Sequence, residues 1–168
     1  MKSLVLTLFT FSLLLGLTPL TYAQDTAPQP EDLARLVGEW KGTLTYRNYG
    51  DGKFYDVAST LSITTGSDAY EVQADKQFPS EPNKGGIYKI AIAEDGSEFN
   101  GGEVISRKVL EDGTVEIITE QKGRDNRKRC TIRFTYLIGD DSFIDRKEVL
   151  YRKQTEWLRR NEFKYERV

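Results

Sequence analysis

From Trp40 to the end of the chain, polar and apolar side chains alternate with a period of two, and this pattern constrains the fold more than any other feature. Trp40, Gly42, Leu44 and Tyr46 fall on one face of the first such run. A period of two predicts strands that are buried on one face. Clusters of Gly, Asn, Asp and Ser follow most runs, so consecutive strands are expected to form antiparallel hairpins.

The alternation divides the chain into a series of short strands. We predict strands over 40–47, 54–65, 70–76, 87–93, 99–109, 114–121 and 129–138, and a final hairpin over 143–168. Gly101-Gly102 indicates a bulge or a sharp bend in the fifth strand. The two prolines and the glycine pair of 78–86 predict the longest loop. Residues 31–37, between Pro30 and Gly38, predict a helical turn.

This order of elements predicts an all-β fold. We expect an antiparallel up-and-down meander of about eight to ten strands, preceded by the short N-terminal helical turn. Closure of the meander into a barrel would leave no exposed sheet edge.

The N-terminal region has the features of a secretory signal peptide. Lys2 precedes an apolar run, and Thr21-Tyr22-Ala23 resembles a small-residue cleavage pattern. We therefore expect a signal peptide at 1–23, a flexible leader at 24–30 and one barrel domain at 31–168. The apolar run is too short for a membrane span, so the mature chain is expected to have none. This predicts an exported protein, periplasmic or secreted.

Composition excludes several kinds of function. The formal net charge is −2, which gives no electrostatic reason to expect nucleic-acid binding. The 168 residues include no histidine, so catalytic triads and His-ligated metal sites are excluded. Cys130 is the only cysteine; no intramolecular disulfide can form, and its alternation with Ile132 predicts a buried side chain. We expect a monomer without a metal or a cofactor.

Gly38-x-Trp40-x-Gly42, the helical turn before it and the final Lys164-Tyr165-Glu166-Arg167 together resemble the lipocalin-like, or calycin, barrels. The similarity is greatest to exported bacterial lipocalin-like proteins of unassigned function. It implies that Trp40 packs at the closed end of the barrel. There a basic side chain, Arg167 or alternatively Arg159, would cross the indole and bind carbonyls of the helical turn. Gly38 and Trp40 are thus interpreted as architectural.

A related family, the nitrobindin haem proteins, also carries Gly-x-Trp-x-Gly near its start. Its haem is held by a histidine, which this chain lacks, so we reject a haem-binding interpretation.

The predicted interior is rich in aromatic side chains. Candidate ligand-binding residues are Tyr55, Tyr70, Tyr88, Phe134, Tyr136 and Arg159. By strand parity Arg159 points inward. Fatty-acid-binding calycins hold a ligand carboxylate with an inward Arg and Tyr, and Arg159 with Tyr136 would do the same. The alternative is a solvated Arg159, or one paired with Asp145 or Glu148.

Three functions remain open at this stage. The first is non-catalytic binding of a hydrophobic, amphiphilic or carboxylate-bearing small molecule. The second is a filled barrel that serves as a structural or protein-interaction domain through its wall or the 78–86 loop. The third is a lyase-type enzyme that uses Tyr, Arg and Glu. The basic turn at 122–129 could attract a polyanion or anionic lipid, or be a solvated hairpin tip.

Overall fold

A computed structural model describes residues 26–168. The helical elements are α1 (Pro30–Ala34) and a short 3-10 turn (Pro82–Lys84) in the long loop. The strands are β1 (Gly38–Arg47), β2 (Phe54–Thr65), β3 (Glu71–Gln77), β4 (Gly86–Ala91), β5 (Glu98–Phe99), β6 (Gly102–Val109), β7 (Val115–Asp125), β8 (Lys128–Ile138), β9 (Ser142–Tyr151) and β10 (Leu158–Arg167). The signal-peptide prediction lies outside the described residues. The predicted flexible leader reaches into them, and there Pro28 is buried.

The ten strands form one antiparallel sheet in the order β4-β3-β2-β1-β10-β9-β8-β7-β6-β5. Its two ends meet near α1, where Ile92 bridges Phe99 and the Asn100 N–H donates to the Ala91 carbonyl at 2.7 Å. The molecule is therefore a nearly closed up-and-down β-barrel, as the alternation predicts. Within residues 26–168, no helix is long and apolar enough to span a membrane.

Three local predictions are corrected. The single strand expected over 99–109 is two strands, because Asn100 and Gly101 both adopt positive φ and form a hairpin turn. The third strand begins at Glu71, so Tyr70 lies outside it. The basic segment is mostly strand: β7 and β8 pair up to Asp125 and Lys128, and only Asn126 and Arg127 form the turn.

The helix α1 covers one end of the barrel, which we call the helix end; the opposite end is the far end. Pro30 opens the helix, and the Asp32 carboxylate accepts a hydrogen bond from the Gln29 N–H at 2.9 Å. Asp32 also receives two hydrogen bonds from Arg107 of β6, at 2.8 and 2.7 Å. This ion pair is buried and fixes the helix to the opposite wall of the barrel.

Candidate functional site in the barrel interior

The half of the interior nearest the helix end is filled by side chains. Inward positions on all the long strands contribute to one cluster whose buried side chains are at most 4% exposed. Its members include Leu33, Leu36, Trp40, Leu61, Ile63, Val72, Ala74, Ile90, Ile92, Phe99, Val115, Ile117, Ile138 and Phe143. Packing of this kind leaves no space for a guest molecule.

Trp40 and Arg167 close the helix end. The Trp40 indole N–H donates to the Leu36 carbonyl at 2.8 Å, and the Arg167 guanidinium lies 4.1 Å from the indole ring centre. Arg167 also donates to the carbonyls of Val37 and Arg35, at 2.8 and 2.7 Å. Gly38 has φ +138, and a side chain there would lie 2.5 Å from Arg167. The contacts that the calycin resemblance implies are therefore present. Trp40 and Arg167 use their side chains to hold this end of the barrel closed.

Inward side chains in the far-end half are packed less completely. Five side chains lie on the same strand face as the buried positions, yet each remains partly exposed: Leu44, Val57, Tyr88, Phe134 and Phe163. Because these residues face the barrel axis, their exposure indicates space inside the barrel. That space is walled by aromatic rings, as in typical small-molecule sites.

Two opposite charges face this space. Lys76 follows Ala74 on the inward face of β3, and Asp145 of β9 is paired in register with Phe163 on one side and Tyr136 on the other. The Lys76 ammonium lies 3.8 Å from the Phe163 ring centre and 4.9 Å from that of Tyr88. Within residues 26–168, neither charged group takes part in a side-chain hydrogen bond or a salt bridge.

The pKa values of these groups reflect their burial. Burial raises the pKa of Asp145 to about 6, although the Lys76 charge opposes the shift. Burial lowers the pKa of Lys76, and the Asp145 charge opposes that shift in turn. Each charge therefore affects the pKa of the other group, although the two side chains form no salt bridge.

Three tyrosines surround the Asp145 carboxylate. The pKa values of Tyr88, Tyr136 and Tyr165 are raised mainly by burial, and the Asp145 charge adds to each shift. The Tyr165 and Ser59 hydroxyls lie 3.0 Å apart, and the Asn100 amide donates to the Tyr136 hydroxyl at 3.4 Å. We call Lys76, Tyr88, Tyr136, Asp145 and Tyr165 the interior polar cluster.

A second polar network lies at the far end. Tyr49 and Tyr151 donate hydrogen bonds to the buried Asp125 carboxylate at 2.6 and 2.5 Å. The Arg160 guanidinium lies 3.3 Å from the same carboxylate and 3.7 Å from the Tyr49 ring centre. These contacts tie the turn after β1 to the tip of the β7–β8 hairpin. Beside them is a cavity of about 280 Å³, lined by Tyr46, Arg47, Asn48, Tyr49, Lys147, Arg160 and Asn161.

The predicted inward orientation of Arg159 is wrong. A register shift between Arg159 and Asn161 adds one residue to β10, so that Arg160 occupies the inner side at this level. Arg159 is paired in register with Glu148, and its guanidinium lies 3.4 Å from the Glu162 carboxylate on the outer wall. It cannot join Tyr136 around an interior carboxylate.

The other predicted ligand residues are divided between three regions. Tyr88, Phe134 and Tyr136 lie in the interior around Asp145. Tyr55 lies at the far end, 44% exposed, and donates to Asp51 at 2.6 Å. Tyr70 is 36% exposed, in the turn before β3.

Sequence reasoning missed Lys76 and Asp145 as interior residues. The parity signal was present, because Lys76 follows Val72 and Ala74, and Asp145 follows Phe143, each at a spacing of two. Charged residues are seldom buried without a partner, so parity alone did not suggest them.

The basic segment contributes to a separate groove on the surface. A cavity of about 780 Å³ lies between the β7–β8 hairpin and the β9–β10 turn, with Lys122, Arg124, Arg129, Arg152 and Lys153 among its lining residues. The buried Cys130 also borders it. Within residues 26–168, no group of three or more acidic or cysteine side chains is placed to hold a metal ion.

The fold and its interior define a nearly closed antiparallel β-barrel with a polar, aromatic-walled space at one end. Among solved structures, the chain is similar to Rv2717c from M. tuberculosis, at 12% identity and a TM-score of 0.47, over 86% of this chain and 99% of that protein. It is also similar to a protein of unknown function of the DUF3598 family from Nostoc punctiforme PCC 73102, at 14% identity and a TM-score of 0.37. That match covers 86% of this chain and 51% of the Nostoc protein. No protein family model matches the sequence, and no curated protein matches it.

Proposed function

We propose that this protein is a non-catalytic, lipocalin-like binding barrel for a small amphiphilic molecule, held in the far-end half of the interior. The observation that supports this most directly is the pair of interior charges, Lys76 and Asp145, which face a common space and, within residues 26–168, form no side-chain hydrogen bond or salt bridge. Buried charges without partners are costly, so a guest that contacts them gains affinity. The aromatic rings of Phe134 and Phe163 would pack against its apolar body.

The geometry favours a head group that both donates and accepts hydrogen bonds. Asp145 offers an acceptor and Lys76 a donor, while the Tyr88 hydroxyl can serve as either. A hydroxyl, amide or carboxyl group meets this requirement. For a guest that carries a carboxylate, Lys76 would bind that group in place of Arg159, which lies on the outer wall.

We further propose that the protein is exported, to the periplasm or beyond the cell. The features of residues 1–23 support this, and a barrel without disulfides is compatible with either compartment.

Binding is tested with naphthalenemethanol, a fluorescent aromatic alcohol that matches the proposed body and head group. We expect saturable binding with one molecule per chain. Lys76→Met and Asp145→Asn should each weaken it by roughly tenfold, the value expected for loss of a hydrogen bond to a charged group. Lys41→Met, on the exposed outer face, is the matched control and should bind as the wild type does.

Two results would contradict the proposal. One is the absence of saturable binding by calorimetry and by fluorescence. The other is binding that is equally strong in the two interior variants and in the control, which would place the probe on the outer wall.

A second candidate function is the binding of an anionic partner in the basic groove. Five of its lining residues are cationic and none is acidic, which favours a partner with several negative charges. Replacing Arg124, Arg129 and Arg152 with Glu should abolish retention on heparin at low salt. Retention that survives this triple change would exclude the groove.

A further inference from the structure

Lys76 differs from the exposed lysines of this barrel in its surroundings. Its ammonium lies against the faces of two aromatic rings, 3.8 Å from the centre of Phe163 and 4.9 Å from that of Tyr88. Within residues 26–168 its side chain donates no hydrogen bond to an oxygen. Lys89, by contrast, is 67% exposed and donates to Glu71 at 2.7 Å. The Lys76 nitrogen is therefore held in place and left free to meet a guest.

Burial favours the neutral amine, which is the nucleophilic form of lysine, whereas the two ring faces and the Asp145 charge favour the ammonium. Burial lowers the pKa of Lys76, so more of its side chain is unprotonated at neutral pH than in an exposed lysine. Amines desolvated in apolar pockets add to carbonyl groups, and the product is a Schiff base.

Asp145 supplies the second requirement of that reaction, a group that can both give and take a proton. It faces the same space as Lys76, and burial raises its pKa to about 6. A carboxyl group with this pKa is present in both protonation states near neutral pH.

We propose that Lys76 captures an aldehyde or ketone guest as a reversible imine, with Asp145 as the acid–base group. This inference rests on the proposed function, since the guest occupies the same far-end space. The aromatic walls favour a carbonyl attached to an aromatic or apolar body.

The reaction balances without an oxidant or reductant. The neutral Lys76 nitrogen adds to the carbonyl carbon, so that a C–N bond forms and the C=O π bond breaks. One of the two protons of the nitrogen moves to the carbonyl oxygen, which becomes a hydroxyl. Protonation by Asp145 then lets that oxygen leave as water while the C=N bond forms. The nitrogen loses its remaining proton to the Asp145 carboxylate, which restores the acid. Hydrolysis reverses each step.

The test uses naphthaldehyde together with sodium cyanoborohydride, which reduces an imine to a stable secondary amine. We expect one adduct per chain by intact mass spectrometry, located at Lys76 by peptide mapping. Labelling of Lys76 should be at least tenfold faster than that of Lys41. Lys76→Arg keeps the positive charge but should lose the adduct, and Asp145→Asn should slow its formation about tenfold.

Naphthalenemethanol separates this inference from the proposed function, because it has the same aromatic body but cannot form an imine. If the alcohol binds and the aldehyde labels Lys76 no faster than Lys41, the imine proposal is overturned and the binding site stands. If neither molecule binds, both proposals fail. Urea unfolding followed by circular dichroism shows whether Lys76→Arg is folded, and loss of the adduct in a folded variant supports the assignment to Lys76.

Discussion

The two halves of the barrel interior are built from the same strands with the same alternation, yet they differ in what fills them. At the helix end, apolar side chains interlock around Trp40, and Asp32 and Arg107 form a buried ion pair with two contacts. In the far-end half, aromatic rings remain partly exposed, and within residues 26–168 the charges of Lys76 and Asp145 form no hydrogen bond or salt bridge through their side chains. The difference indicates that the helix end provides stability, and the far-end half is where we propose that a guest binds.

The largest predicted effect is at the helix end. Trp40→Ala removes a fully buried indole and its hydrogen bond to Leu36, and should lower the free energy of unfolding by about 3–5 kcal/mol. Phe163→Ala, in the far-end half, should cost about half as much because its ring is already partly exposed. Urea unfolding followed by circular dichroism measures both. Equal losses would break the distinction between the two halves.

The next effect concerns the bridge from α1 to the wall. Asp32→Asn leaves the buried Arg107 charge without its carboxylate and should cost about 3 kcal/mol of stability. Lys108→Gln, which removes an ion pair that is exposed on the lysine side, should cost less than about 1 kcal/mol. A cost for Asp32→Asn no larger than that of this control would show that the helix is not fixed by the bridge.

The substitution of Asp145 should raise the free energy of unfolding near pH 8, whereas the substitutions above lower it. Its pKa rises from 3.8 to about 6 on folding, so the folded state binds this proton more tightly than the unfolded chain. The contribution of Asp145 to stability is therefore most favourable below pH 3.8 and is lost as the pH rises through about 6.

Asp145→Asn removes this loss because the amide does not ionise. Near pH 8 the variant should be more stable than the wild type by about 3 kcal/mol, and near pH 4 the two should be alike. Thermal unfolding across this pH range measures the difference, with Asp56→Asn on the outer face as the control. A variant less stable than the wild type near pH 8 would show that Asp145 has a stabilising partner there.

The smallest effect is expected at the far-end network. Tyr49→Phe removes a 2.6 Å hydrogen bond to Asp125 and should cost about 1 kcal/mol, less than is usual for a bond to a charged group because Tyr49 is 57% exposed. Because the bond ties two loops across the far end, the variant should also release naphthalenemethanol faster. Stopped-flow fluorescence measures the release rate. An unchanged rate would show that the guest does not pass beside this network.

Much of the fold follows from the sequence because period-two alternation and turn residues act locally. The strand β2 has the bounds that its pattern predicts, and Trp40 and Arg167 lie together at the helix end. The error at Arg159 has a physical cause. One extra residue in β10 moves the side chain to the other face, and no turn residue in the sequence marks that bulge.

The candidate site was less predictable than the fold. Its aromatic members, Tyr88, Phe134 and Tyr136, follow from alternation. Its charged members do not, because the placement of Lys76 opposite Asp145 depends on how strands distant in sequence meet across a closed barrel. The tie between Tyr49 and Asp125 likewise joins two turns that are distant in the sequence.

A crystal structure of the protein soaked with naphthalenemethanol tests the central claim most directly. We predict density for the aromatic body between Phe134 and Phe163, with its hydroxyl within hydrogen-bond distance of Asp145 or Lys76, and none among the side chains around Trp40. A far-end half filled by its own side chains, with Lys76 and Asp145 in direct contact and the probe absent or on the outer wall, would contradict the account.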